Sequence, residues 1–262
     1  MKLKAIVLGA GLLCAAFGFA VARADDDALP GGTWSINNWT FGDDVHLRLG
    51  YRNAHSRWDW TSNQAVADLT GLTAAQLRSM STAVKFTLER DAGVFFCEGK
   101  MTLGVGGGTF RFAPSPSYAS KLTALGYGGV EGEDSSLMFL AVRDLSIAFA
   151  AEVKRLGLND LTLKDLIGLL DHGVDLSFLR ELVAAGYPGL TGEDVIRLRD
   201  HGISASYVKG LVDTGRGGMT VDEIVRLHDH GIDPPYIARI QAAGFNDLTV
   251  DQIVQLHDHG VD

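Results

Sequence analysis

The stretch LTLKDLIGLLDHGVD at residues 161–175 decides the architecture of the C-terminal half of this chain. Related stretches lie at residues 190–204, 219–233 and 248–262, each 29 residues after the one before. A fixed period of this length is the signature of a repeat array. The shared triplets are Asp171-His172-Gly173, Asp200-His201-Gly202, Asp229-His230-Gly231 and Asp258-His259-Gly260.

Each repeat reads as two short helices. In the first repeat Thr162 and Asp165 have the spacing of a capping box, an apolar helical face follows, and Gly173 supplies the left-handed residue that ends a helix. A second helix begins after Asp175 and its equivalents, and Pro234 is suited to a first helical position. Helices of about ten residues are unstable alone. The pattern therefore predicts an α-solenoid of two-helix, 29-residue repeats over residues 161–262.

The N-terminal half alternates apolar and polar residues with a period of two. Examples are 45–49, 84–88 and 110–112, and a turn at 91–93 joins two of these segments as a hairpin. We expect an antiparallel β-sandwich or curved sheet over residues 25–116, which makes the fold class α+β. Residues 117–160 read as degenerate helical repeats, with one longer helix over 135–156 connecting the two parts.

The first 24 residues have the features of a secretory signal peptide. Lys2 and Lys4 precede an apolar run, and the sequence Ala22-Arg23-Ala24 favours cleavage after Ala24. An uncleaved membrane anchor is the alternative, and no other segment could span a membrane. The interpretation predicts a periplasmic or secreted protein. Because Cys97 is the one cysteine left after cleavage, no internal disulfide can form.

The charge of the chain excludes several partners. The net charge is −9, and residues 161–262 alone hold 16 acidic against 8 basic residues. Such a surface repels phosphate backbones, so nucleic acid is not expected as a partner. The His-Asp-His sequences at 228–230 and 257–259 suggest a metal site. His228 and His257 are the candidate ligands because they occupy equivalent positions in adjacent repeats. Structural repetition is the favoured interpretation, since residues two apart on a helix point to different sides.

Other candidate binding residues lie in the β-region. Trp58 and Trp60 could stack on a sugar or peptide if exposed, although alternation with polar neighbours favours the sheet core. Arg90 and Asp91 could line a pocket beside them. The glycine-rich residues 104–108 lack the Lys-Ser/Thr ending of a phosphate loop, and the neighbours of Cys97 favour a buried thiol.

The sequence 90–93 (Arg-Asp-Ala-Gly), the strand at 109–114 and the Asp-His-Gly repeats together resemble a family of exported bacterial proteins of unknown function. Similar repeats occur in extracytoplasmic parts of BlaR-type membrane-peptidase sensors. The resemblance covers most of the chain after residue 24. It implies a β-domain with helical repeats and a place in the cell envelope, and it implies no catalytic residue, since His-Glu-x-x-His is absent here.

Two functions follow as expectations. The first is a non-enzymatic interaction module or adaptor with another envelope protein as its partner, because repeat arrays commonly bind proteins. The resemblance to BlaR-type sensors adds a role in envelope signalling to this expectation. The alternative is a β-domain that binds or hydrolyses a small ligand such as a sugar or peptide, with the repeats as support. No catalytic constellation stands out, and no cofactor is expected.

Overall fold

The computed structural model describes residues 29–38, 42–53, 57–130 and 134–261. The signal-peptide prediction for residues 1–24 lies outside the described residues. The described chain is α+β, with an antiparallel sheet followed by helices, as the sequence predicts. The strands are β1 Gly31–Asn37, β2 Asp44–Arg52, β3 Arg57–Ala65, β4 Leu69–Thr70, β5 Thr82–Arg90, β6 Gly93–Thr102 and β7 Val105–Pro114.

All seven strands belong to one curled sheet in the order β3-β2-β1-β7-β6-β5-β4, and every pairing is antiparallel. Alternate residues face a shared core, as the period of two predicts. The hairpin predicted at 91–93 is confirmed, because Arg90 pairs with Gly93 across a two-residue turn. The described strands therefore form a single half-barrel instead of two stacked sheets.

Trp34 explains the glycine-rich segment. Its indole Nε1–H donates to the carbonyl of Glu98 at 3.0 Å, and its ring meets Phe86 edge-on at a centroid distance of 5.0 Å. The ring lies over Gly99, where an added Cβ would be 2.7 Å from Trp34 Cζ2. Gly108 pairs directly with Gly99 and Trp34. These glycines form the floor under a buried tryptophan in the centre of the sheet.

One helix of five residues lies between β4 and β5, and the helices after the sheet are seven or nine residues long. They are α1 Ala74–Arg78, α2 Tyr118–Ala124, α3 Asp134–Val142, α4 Ile147–Arg155, α5 Leu163–Asp171, α6 Leu176–Ala184, α7 Gly192–Asp200, α8 Ala205–Asp213, α9 Val221–Asp229, α10 Pro234–Ala242 and α11 Val250–Asp258. We call α5, α7, α9 and α11 the first helices, and α4, α6, α8 and α10 the second helices. First helices pack on first helices, and second helices pack on second helices.

The predicted caps are confirmed. Capping boxes begin all four first helices from α5 to α11, and the side chains of Asp175, Ser204 and Asp233 cap second helices. No helix within the described ranges is both long and apolar enough to cross a membrane.

The single helix predicted over 135–156 is wrong. The chain instead forms α3 and α4, which are separated by a turn at 143–146. Asp144 adopts a left-handed conformation with φ of 53°, and Ser146 caps α4. The turn was missed because Asp144 stands where every later repeat has glycine.

Candidate functional site

Arg90 joins the sheet to the helices. Its side chain is only 10% exposed, and its Nε lies 3.3 Å from Asp144 Oδ1 in the turn between α3 and α4. One terminal nitrogen donates to Gln64 Oε1 at 2.6 Å, and the other donates to the Glu89 carbonyl at 3.0 Å. The guanidinium is thus held by β3, β5 and the α3–α4 turn together.

Asp91 contacts the same turn. Its Oδ2 accepts from the backbone N–H of Ile147, in the first turn of α4, at 2.8 Å. The Tyr118 hydroxyl donates to the Leu145 carbonyl at 2.5 Å. Burial raises the pKa of Tyr118, and the nearby carboxylates of Asp91 and Asp144 raise it further. Both proposed ligand residues, Arg90 and Asp91, therefore use their polar atoms to attach the sheet to the helices.

Trp58 and Trp60 are half-buried and pack against the core from β3. Trp58 meets Tyr51 at a ring-centroid distance of 5.6 Å. It also lines a groove of about 310 Å³, whose other walls include Phe139 of α3 and Ile167 of α5. The structure thus places Trp58 in a concave surface between the sheet and the helices, whereas Trp60 is not among the residues lining that groove.

The Asp-His-Gly triplets form a ladder between repeats. His172 Nδ1 lies 2.7 Å from Asp200 Oδ1, His201 lies 3.0 Å from Asp229, and His230 lies 3.1 Å from Asp258. In each pair an imidazole N–H donates to a carboxylate of the next first helix. Each histidine is also the C-cap residue of its own helix.

The ladder extends backwards to α3. Arg143 stands 29 residues before His172, and its Nε donates to Asp171 at 3.1 Å. Sequence reasoning missed this rung because arginine replaces histidine. The signal was available as the repeat offset together with the complementary charge. The turn at 143–146 therefore continues the ladder through Arg143 and holds the sheet through Asp144.

A second set of ion pairs runs along the first helices and was also missed. Arg197 pairs with Asp222, and Arg226 pairs with Asp251. Both pairs join residues 25 apart, and the two pairs are related by the 29-residue offset. Two rows of contacts thus occupy the exposed side of the first helices.

His228 and His257 have aromatic partners. His228 meets the Tyr207 ring edge-on at 5.2 Å, and His257 meets the Tyr236 ring edge-on at 5.0 Å. Neither histidine belongs to a possible metal site in the described part of the chain. The described residues contain no group of three or more His, Cys, Asp or Glu side chains that could hold a metal ion. Their position is accounted for by packing on the preceding second helix.

Cys97 lies in the sheet core. It is buried on β6, and burial raises the pKa of its thiol to about 12. A nucleophilic cysteine requires the thiolate, which a raised pKa suppresses at neutral pH. The described environment therefore fits a structural thiol.

No protein-family model matches this chain. The curated proteins contain no match to it either.

Proposed function

We propose that this chain is an exported, non-enzymatic interaction protein whose helices form an α-solenoid of 29-residue repeats. The observation that supports this most is the difference between its two helical layers. Exposed positions of the first helices are occupied by the His–Asp ladder and the Arg–Asp pairs, which repeat along the array. Exposed positions of the second helices do not repeat in this way.

The second helices vary at equivalent exposed positions. Residues 177, 206 and 235 are Ser, Ser and Pro; residues 180, 209 and 238 are Arg, Lys and Ala; residues 184, 213 and 242 are Ala, Asp and Ala. The residues of the His–Asp ladder recur because they join neighbouring first helices, whereas these residues of the second helices do not recur. We therefore place the partner-binding surface on the outer face of α6, α8 and α10, with a protein of the bacterial envelope as the partner.

The envelope setting rests on the signal-like N-terminus and on the resemblance to the exported repeat family and to BlaR-type sensors, which also motivates a role in envelope signalling. It is tested by fractionation and N-terminal sequencing of the protein made in a Gram-negative host. A mature protein that begins at Asp25 outside the cytoplasm supports export. A protein that retains Lys2 and stays in the cytoplasm contradicts it.

The alternative of a small-ligand or hydrolytic β-domain loses three of its four candidate residues. Arg90 and Asp91 are engaged in contacts with the α3–α4 turn, and Trp60 is not among the groove-lining residues. The Trp58 groove and a second pocket of about 290 Å³ beside Asp43 and Arg78 remain as features that favour binding by the β-domain. The eight residues that line the Trp58 groove include no carboxylate, imidazole or thiol for hydrolysis.

Site-specific photo-crosslinking in cells tests the assigned face. A benzoylphenylalanine at Ser206 on α8 is compared with one at Gln255 on α11, which is also exposed but lies on a first helix. We expect a defined crosslinked protein from position 206 and none from position 255. Identical patterns from both positions, or no product from either, would refute the assignment.

A further inference from the structure

The two edges of the sheet differ in how they are protected. The β4 edge has only two residues, and the chain turns back at once because the Leu72 N–H donates to the Leu69 carbonyl. The β3 edge has nine residues, all in continuous register with β2 and without a bulge. Its other side pairs with no strand among the described residues.

Natural sheets usually protect a long edge with lysine, proline, a bulge or a covering element, because unpaired backbone groups bind other chains. The sequence of β3 is RWDWTSNQA, which contains no lysine and no proline. Its charges are confined to its first three residues, and Asp59 is engaged by Arg48 at 3.0 Å. The stretch from Trp60 to Ala65 is uncharged. This edge retains the capacity to accept another strand.

The groove at Trp58 begins at this same strand. Most of its lining side chains are apolar, the polar side-chain groups being the Ser136 hydroxyl and the Trp58 indole N–H, and they include half-buried Phe139 and Ile167. Successive side chains of a strand alternate between the two faces of a sheet, so a strand added beside β3 would direct every second side chain to the Trp58 face. The groove can then receive one large apolar side chain.

Charge separates the possible occupants. The acidic excess lies in the helical part, which holds 16 acidic against 8 basic residues over 161–262 and contributes Leu163 and Ile167 to the groove, so a segment with lysine or arginine is attracted to that side of the groove. Two copies of the chain, each with a net charge of −9, repel each other. We propose that the free edge of β3 binds an extended, net-basic segment of a partner protein as an eighth strand, with an apolar side chain in the Trp58 groove. This surface is separate from the outer face of the second helices and goes beyond the function proposed for that face.

The probe is a set of peptides selected from a phage-displayed library of random twelve-residue sequences against the purified protein. The best binder is synthesised unmodified and in two forms, N-methylated at odd or at even residues. Strand addition uses the backbone N–H groups of only one edge of the peptide. We expect one N-methylated form to bind at least about tenfold more weakly and the other to bind within about twofold of the unmodified peptide.

Two substitutions locate the site. Ser136→Arg fills the groove without deleting a core side chain, and Ser120→Arg on exposed α2 is the matched control. We expect Ser136→Arg to weaken binding at least about tenfold and Ser120→Arg to leave it unchanged, with circular dichroism showing both folded. Equal binding of the two N-methylated forms, undiminished binding to Ser136→Arg, or a failure to select any peptide would overturn the proposal. A protein dimer that Ser136→Arg dissociates would also overturn it, in favour of a second copy.

Discussion

Two adjacent glycines of β7 provide a stringent test of how the sheet is packed. Gly108 faces the core, and Gly107 faces the opposite side of the sheet. An added Cβ at Gly108 would fall well inside van der Waals contact of the Glu98 carbonyl oxygen and 2.7 Å from the Gly99 Cα. An added Cβ at Gly107 would meet only the Trp34 carbonyl oxygen, at 3.2 Å. The two positions therefore differ in the free space available to a Cβ atom, although they lie on the same strand, in the same sequence context, and are both glycine.

The expected difference follows from the backbone identity of the clashing atoms. Backbone cannot rotate away as a side chain can, so Gly108→Ala must separate β6 from β7 in the middle of the sheet. Overpacking costs about 1–3 kcal/mol, and each weakened ladder hydrogen bond costs about 1 kcal/mol more. Replacing glycine with alanine returns about 0.4–1 kcal/mol through the unfolded chain. We expect a net destabilisation of about 2–4 kcal/mol for Gly108→Ala and a change within about 1 kcal/mol for Gly107→Ala.

Urea denaturation followed by tryptophan fluorescence and by circular dichroism measures both free energies of unfolding, and unchanged m-values would show that the denatured states are comparable. The packing argument fails if Gly107→Ala destabilises the protein as much as Gly108→Ala. It also fails if both substitutions are neutral, because the strands would then be further apart than the structure shows.

One double-mutant cycle, two further substitutions and one labelling experiment address the helices and the core. A double-mutant cycle with His201→Ala and Asp229→Ala should give a coupling energy of about 0.3–1 kcal/mol, which is the range for exposed pairs. A coupling energy of zero would show that the His–Asp ladder does not stabilise the array. Asp144→Asn keeps a residue that tolerates positive φ but removes the negative charge that faces the nearly buried Arg90. We expect the free energy of unfolding, measured by urea denaturation, to fall by about 1–2 kcal/mol. An unchanged free energy of unfolding would contradict the Arg90–Asp144 pair. Arg155 and Arg180 lower the pKa of Glu152 to about 2 from an ordinary 4.5. The stabilising contribution of Glu152 is therefore present above about pH 4.5 and is lost as the pH falls towards 2. Glu152→Gln should make the free energy of unfolding less dependent on pH in this range, and an unchanged dependence would refute the pKa shift. The Cys97 thiol, with its pKa raised to about 12, should react with a thiol reagent at pH 8 only after unfolding, and rapid labelling of the native protein would contradict its burial.

Local features of this fold could be predicted from the sequence because they depend on residues close together in the chain. The capping boxes follow from Thr162 and its equivalents, and the strands follow from strict alternation around residues such as Phe86. Contacts between repeats could not be predicted in the same way. The bond from His172 to Asp200 spans 28 residues, so no pattern inside one repeat contains both partners.

The groove is a harder case for sequence reasoning. Trp58 belongs to the sheet, while Phe139 and Ile167 belong to two helices. Only the packing of the sheet on those helices brings the three side chains together. The same packing accounts for Arg90 and Asp91, which looked like ligand residues because charged side chains near a turn are usually exposed. Their partners, Asp144 and the Ile147 amide, lie more than 50 residues further along the chain.

The turn at 143–146 explains why the sheet and the helices should respond to a ligand together. Arg143 takes the ladder position of histidine and binds Asp171 of α5, while the next residue, Asp144, binds Arg90 of the sheet. The α5 helix in turn contributes Ile167 to the Trp58 groove. A ligand in that groove would therefore contact both elements that this turn connects. Coupling between two sites is reciprocal. If a ligand in the groove stabilises the turn by a given free energy, then Asp144→Asn, which loosens the turn, should weaken binding of that ligand by up to the same free energy.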